Sequence, residues 1–429
     1  MSAELPEPLA QPTVLDDPVT AESTVRSRVS QRRLGYGLFL LGFGWVFANS
    51  ALGGVLAAAK IAVLAPDDKV FLLGVGTALS AVATTIALFV WGALSDLTRT
   101  RWGRRTPLIV VGAVAGAAML ALMPLTQSIG SFFAVWIAYC LLFNALPAAA
   151  LAIFPDRIPA DRRGTASAIY GGAQVIAGAI GSIAASRFIS DPDPLFPILA
   201  IALLVMALPF VLIAPDFPST DQPRAKLDLS GLLDAFRFPS GAPDFYWAFA
   251  GRFLLLLGLF MIQNFMLYLL TDYIGLSDHD AGTIVAIAGG ASLVTITLGT
   301  VVAGPVSDRI GRRKIPIFLA SALFGLAVLF PLIWPTSASM VIFSAVSGLG
   351  LGAFLSVDSA LMTEVLPSED TRGKDLGILN TANTVPQVLA PLVTSGIVST
   401  GLGYRPVFLL SLVIISVGAV SIFKIKSVR

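Results

Sequence analysis

Twelve runs of predominantly apolar residues divide this chain, near 34-58, 70-94, 106-126, 131-154, 165-186, 194-214, 246-271, 281-303, 315-334, 338-362, 375-398 and 404-423. Each has about the 20 residues that a helix needs to cross a hydrocarbon core of ~30 Å. Inside lipid the backbone must satisfy its own hydrogen bonds, so every run is predicted to be a membrane-spanning helix. Composition agrees: 56% of the 429 residues are hydrophobic and 13% charged, against roughly 25% charged in soluble domains. The reading is an all-α integral membrane chain of twelve transmembrane helices. Spans 5 and 6 are separated only by "SRFISDPDPLFP", and span 7 contains Arg252.

Lys and Arg in the connections set orientation. Of the 28 in the chain, 23 lie on the side holding both termini, whereas Lys60, Lys69, Arg187 and Arg405 lie on the other. This predicts a multi-pass protein of the cell membrane with both termini in the cytoplasm. Residues 1–33 carry Glu4, Glu7, Asp16, Asp17, Glu22 and four prolines before Arg26, Arg28, Arg32 and Arg33, without an apolar h-region near the start. That composition predicts a disordered cytoplasmic tail and not a cleaved signal peptide. The longest connection, 215–245, includes "LDLSGLLDAFR", whose apolar positions 227, 229, 232, 233 and 236 suit an amphipathic surface helix. It tethers a six-span bundle at 34–214 to a second at 246–424, with a short tail at 425–429.

The single cysteine, Cys140, excludes a disulfide within the chain and a cysteine metal cluster. A formal net charge of +2 gives no reason to expect nucleic acid as a partner.

The halves repeat each other. Span 2 ends in "GALSDLTRTRWGRR" from Gly92, through Asp96, Arg99, Arg101, Gly103 and Arg104, to Arg105. Span 8 ends in "GPVSDRIGRR" from Gly304, through Asp308, Arg309, Gly311 and Arg312, to Arg313. A second echo follows spans 4 and 10, "PDRIPADRRG" at 155–164 against "TEVLPSEDTRG" at 363–373. Two matches in the same order imply duplication, as expected where a substrate site lies between two bundles that rock against each other.

This pattern of Gly-x-x-Ser-Asp followed by Gly-Arg-Arg resembles the major facilitator superfamily. Four extra residues in the first copy, the "RWGRRTP" ending and the stretch "VDSALMTEVLPSEDTRGKDLGILNTANTVPQVLAP" look most like the branch of plant sucrose carriers and bacterial glycoside-pentoside-hexuronide symporters. The resemblance implies two pseudo-symmetric six-helix bundles, alternating access and a monomer. Leu97 stands where relatives place Arg after the Asp, so the charge pairing of Asp96 is expected to run through Arg99 or Arg101. Gly92 and Gly304 are expected to let a neighbouring backbone come close. Asp96 and Asp308 are expected to act at a cytoplasmic gate, accepting from helix N-termini or from the following Arg residues. Topology marking by Arg alone is the competing reading.

Polar side chains within spans line cavities or join helices. Candidates for the substrate are Trp45 and Asn49 in span 1, Tyr139 and Asn144 in span 4, and Tyr170 and Gln174 in span 5. Span 7 adds Gln263, Asn264 and Tyr268, on a stripe continuing to Asp272, and span 11 adds Asn380, Asn383 and Gln387 near Pro386 and Pro391. Amides bond sugar hydroxyls directionally and aromatic faces stack on a pyranose, so the set suits a neutral sugar or glycoside. For each amide taken singly, an interhelical hydrogen bond is the alternative.

Coupling has fewer candidates. Relatives that use sodium place carboxylates in span 2, where this chain has Thr77, Ser80, Thr84 and Thr85. Asp358 in span 10 is the carboxylate best placed for a proton, and Arg252 lies at a similar depth. A structural or gating ion pair, a proton-coupling pair and no contact all remain open, as does uncoupled facilitation.

The leading reading is proton-coupled symport of a sugar or glycoside. Export of drugs or metabolites is a rival, although span 5 reads "GGAQVIAGAIGS" and lacks the Gly-Pro pair of drug antiporters. A transport-dead sensor is another. An enzyme is not expected: HExxH, metal-spaced Cys or His and a phosphate loop are missing, and the single His279 lies in an outer connection. No cofactor or metal is expected.

Overall fold

The computed structural model describes residues 29–220, 239, 242–311, 313–364 and 372–425. Residues 1–28 of the tail expected at 1–33, the surface helix at 227–236, Arg312, most of the second copy of the span 4 echo and the last four residues lie outside these, whereas Gln31–Arg33 at the end of that expected tail already belong to the first helix, which Ser30 caps. So do the side chains of Asp308, Glu364 and Asn380.

Among the described residues, twelve helices are long and apolar enough to cross a membrane. In the first half they are α1 Gln31–Leu64, α2 Lys69–Leu97, α3 Thr106–Leu125, α4 Ile129–Arg157, α5 Arg163–Ser186 and α6 Leu195–Ile213. In the second they are α7 Pro243–Gln263, α8 Asp278–Ile310, α9 Lys314–Ile333, α10 Ser337–Glu364, α11 Arg372–Ile397 and α12 Arg405–Lys424. The side carrying the start of α1 and the end of α12 is called inner below, and the opposite side outer.

Packing follows one pattern twice. In the first half α1 packs on α5 and α6, α3 on α4 and α6, and α2 on α4. Adding six to each number gives the second half: α7 on α11 and α12, α9 on α10 and α12, and α8 on α10. The halves meet through α2 with α11 and α5 with α8, pairs that the same rule exchanges. The fold is thus two pseudo-symmetric six-helix bundles.

The helices separate apolar faces by neighbour and not by polarity. On α6, Leu199, Leu203, Ala207 and Phe210 are buried, whereas Ile198, Ile201, Val205 and Leu212 are exposed. Both stripes are apolar at helical spacing, as expected when one packs on protein and the other meets lipid. Small residues set how close two axes come. A Cβ on Gly181 of α5 would lie 2.6 Å from the Phe47 carbonyl oxygen of α1, so this contact needs glycine.

Several spans are interrupted. Asn144 breaks α4, and α7 stops at Gln263 before continuing as a short helical stretch, 266–273. Wider turns replace regular helix at Leu52–Leu56, Leu269–Tyr273 and Val398–Leu402, all in the outer parts of their spans. Such turns free backbone carbonyls and re-aim side chains, and two of them, Leu269–Tyr273 and Val398–Leu402, touch α2 of the other half.

Candidate functional site

Three helices of the second half converge on one cation. Arg252 of α7 places Nη1 2.9 Å from a carboxylate oxygen of Asp358 on α10. Its Nε donates to the amide oxygen of Asn383 on α11 at 2.7 Å. The side chains of Arg252 and Asp358 are only 11% and 4% exposed, so each charge has the other in place of bulk water. A guanidinium has no acceptor, so the Asn383 oxygen and not its NH2 must face it. One turn further on, the exposed Gln387 donates to the Asn383 carbonyl at 3.2 Å.

In the first half the indole N–H of Trp45 donates to the Tyr170 hydroxyl at 3.0 Å, and Gln174 follows Tyr170 by one turn on α5. Asn49, one turn beyond Trp45 on α1, is exposed. Four candidates therefore cluster on α1 and α5. Other candidates are engaged elsewhere. Tyr139 is fully buried, stacked on Phe143 with ring centroids 4.7 Å apart, and its hydroxyl has no partner in the structure. Asn144 donates to the Cys140 carbonyl at 2.6 Å and approaches Thr84 at 3.4 Å, closing the break in α4. Gln263 and Asn264 are half-buried where α7 ends.

Tyr268 belongs to the outer closure. It is buried and donates across the halves to the Ala58 carbonyl at 2.8 Å. Beside it, Lys69 of α2 reaches Asp272 at 2.7 Å and lies 5.0 Å from the Tyr268 ring centroid. Thr271 and Tyr404 also donate to the Asp272 carboxylate, at 2.8 and 3.4 Å. Burial, with the Asp272 charge beside it, holds the Tyr404 hydroxyl far above the usual phenol range, so it remains a donor. Gly74 of α2 faces Ser395 and the Pro391 carbonyl of α11, and Gly282 of α8 faces the Ser186 carbonyl of α5, all closer than a Cβ allows. Cavities of about 120 and 220 Å³ remain at this seam, both lined by Ser190 and Asp278. Sequence reasoning named Asp272 and Tyr268 but missed Lys69, Tyr404 and the two glycines. One signal was available: Lys69 is among four basic residues on the side that disfavours them.

At the inner ends the repeated motif forms a local lattice. Asp96 pairs with Arg104 at 2.7 Å and Arg105 at 3.0 Å, and Arg105 continues to Asp156 at 2.8 Å. This corrects the expected pairing through Arg99 or Arg101. Arg99 instead donates to the backbone carbonyls of Asp96 and Thr98, because the turn folds it back over the end of its own helix. The second copy reproduces part of the geometry: Arg105 donates to Ser95 and Arg313 to Ser307, while Gly103 and Gly311 both have positive φ, 94° and 64°. Gly92 is a further correction. A Cβ there meets open space, and one on Gly304 reaches only Ser356 at 3.9 Å, so neither supports close backbone approach in this conformation. Gly164, Gly171 and Gly172 on the inner part of α5 also face open space.

The sequence matches the family model of the Major Facilitator Superfamily over residues 34–294 and 248–428. The chain belongs to that superfamily. Solved structures of the superfamily's fold superpose along nearly the whole chain. The nucleoside transporter NupG gives a TM-score of 0.72 at 17% identity, covering 92% of this chain and 100% of that one. A D-xylose-proton symporter gives 0.66 at 16% identity, covering 93% and 98%.

Curated relatives match over shorter stretches. Multidrug resistance protein 3 of Bacillus subtilis is 29% identical over 137 residues, 30% of this chain and 24% of the relative. Multidrug resistance protein D of Escherichia coli is 30% identical over 129 residues, 29% and 31% of the two chains. An inner membrane metabolite transport protein of the same species is 35% identical over 123 residues, 29% and 26%. The matched stretch thus spans about a quarter to a third of these relatives. By family and by its twelve apolar helices, the chain is a multi-pass membrane protein of that superfamily.

Proposed function

We propose that this superfamily member moves a neutral sugar or glycoside by alternating access, as a proton-coupled symporter akin to the sucrose carrier and glycoside symporter branch. The Arg252–Asp358 pair carries the reading. Arg252 is already matched by a carboxylate and an amide, so it offers no spare cation to an anionic cargo. The candidate cargo residues are amides and aromatics: Trp45, Asn49, Tyr170 and Gln174 on α1 and α5, Asn383 and Gln387 on α11. Such groups suit hydroxyls and a pyranose face. Protonating Asp358 releases Arg252, which changes what α7, α10 and α11 share and so biases one conformation over another.

In this reading the inner side is the cytoplasm, on the strength of the Lys and Arg asymmetry. The conformation is the one open inward: the halves touch at Lys69–Asp272, Tyr268–Ala58, Gly74–Ser395 and Gly282–Ser186. The bundles 34–214 and 246–424 rock as units about the cargo, tethered by 215–245.

Export of drugs or metabolites is the second reading, favoured by the two multidrug resistance relatives. The test is uptake of labelled D-xylose, D-glucose, sucrose and maltose into proteoliposomes, with and without an imposed proton gradient. Gradient-driven accumulation of a saccharide supports symport. Absence of saccharide flux, together with proton-driven movement of ethidium, transfers the protein to the second reading.

A further inference from the structure

Asn383 entered as a cargo ligand, yet its amide oxygen is spent on Arg252. The guanidinium is held through two nitrogens by two helices: Nη1 by Asp358 of α10 at 2.9 Å and Nε by Asn383 of α11 at 2.7 Å. Removing either partner leaves a single hydrogen bond to orient a long, flexible side chain that contains several rotatable bonds. We propose that Asn383 is a positioning residue: its amide oxygen fixes the Arg252 guanidinium against Asp358 and so ties the state of α10 to the placement of α11.

The inference rests on the reading of Asp358 as the proton site. Among the described residues, Arg252 is the charged group in contact with Asp358. On the other helices packed against α10, Lys314 of α9 is bound to the Ile425 carbonyl and Arg309 of α8 is exposed. Asp375 on α11 lies about two turns closer to the inner end than Asn383. Among the described residues, the cation held against the Asp358 carboxylate is the Arg252 guanidinium, and Asn383 is the second hold on its position. α11 contains Pro386 and Pro391, and it contacts α2 of the other half. A shift of α11 against α2 moves Asn383, and with it the charge facing Asp358. The amide NH2 points away from the guanidinium, so a cargo hydroxyl bonded there acts on the same side chain.

Infrared titration of the full chain in lipid nanodiscs tests this without a cargo. The carboxylic acid C=O band that disappears in Asp358→Asn belongs to Asp358. In Asn383→Ala the acid form is expected to persist to a pH about one unit higher than in the parent, since an opposite charge within hydrogen-bond reach shifts a carboxyl by about 1–3 units. Asn383→Gln, which keeps an amide acceptor, is expected to return part of that shift, and Asn383→Ser serves if the Ala variant is not recovered folded. An unchanged midpoint in the folded Ala or Ser variant overturns the positioning role alone. If Asp358→Asn removes no titrating band, Asp358 exchanges no proton, and the coupling reading falls together with this inference.

Discussion

Lys69 Nζ lies 2.7 Å from the Asp272 carboxylate across the seam between the two halves. Both side chains are about a quarter exposed, 25% and 26%, so solvent screens the pair and its contribution is of order 1 kcal/mol or less. That is still enough to shift a balanced two-state equilibrium about fivefold. Asp272→Asn is expected to raise the labelling rate of a Ser190→Cys reporter, which lines both seam cavities, by an impermeant maleimide. Exchanging the charges, Lys69→Asp with Asp272→Lys, is expected to restore protection; an unchanged rate in Asp272→Asn removes the pair from the closure.

The inner pair behaves differently because it is buried. Arg252→Ala leaves a carboxylate with no cation, and breaking such pairs costs about 3–5 kcal/mol in soluble proteins. Arg252→Ala combined with Asp358→Asn is neutral and is expected to melt at a higher temperature than Arg252→Ala alone. Equal melting temperatures in nanodiscs mean that the orphaned carboxylate has found water or another partner.

Repeat-related glycines are expected to differ in cost. Gly103 and Gly311 both have positive φ, which disfavours a side chain by ~1 kcal/mol or more. Only Gly103 is also crowded, since its Cβ would lie 2.5 Å from Asp216 Cβ. Gly103→Ala is therefore expected to lower thermal stability more than Gly311→Ala, and the reverse order in a thermal shift assay contradicts this account.

Opposite ends of the same helix predict opposite biases. A Val at Gly74 must displace Ser395 and the Pro391 carbonyl, so it wedges the outer side open. A Val at Gly92 meets open space in this conformation and obstructs only a closed inner side. Cysteine reporters at Ser190 and Thr165 are expected to move in opposite directions between the two variants. Equal labelling in both means that neither glycine of α2 biases the balance between the two seams.

Apolar run length determined the twelve spans, because hydrocarbon thickness and helix rise leave little choice. The duplication was legible as well, since Gly-x-x-Ser-Asp and Gly-Arg-Arg recur at a fixed place in each half. Helical spacing put Asn264, Tyr268 and Asp272 on one stripe, but a stripe does not say what faces it. Only the tertiary structure decided that Tyr268 and Asp272 meet Ala58 and Lys69 of the other half, and that Asn144 satisfies a carbonyl of its own helix. It also decided that Asn383 holds Arg252 and that Asp96 uses Arg104 and Arg105. The physical reason is reach. Membrane burial acts on each segment alone and can be read along the chain, whereas a hydrogen bond forms only within about 3 Å, a distance set by helices far apart in sequence.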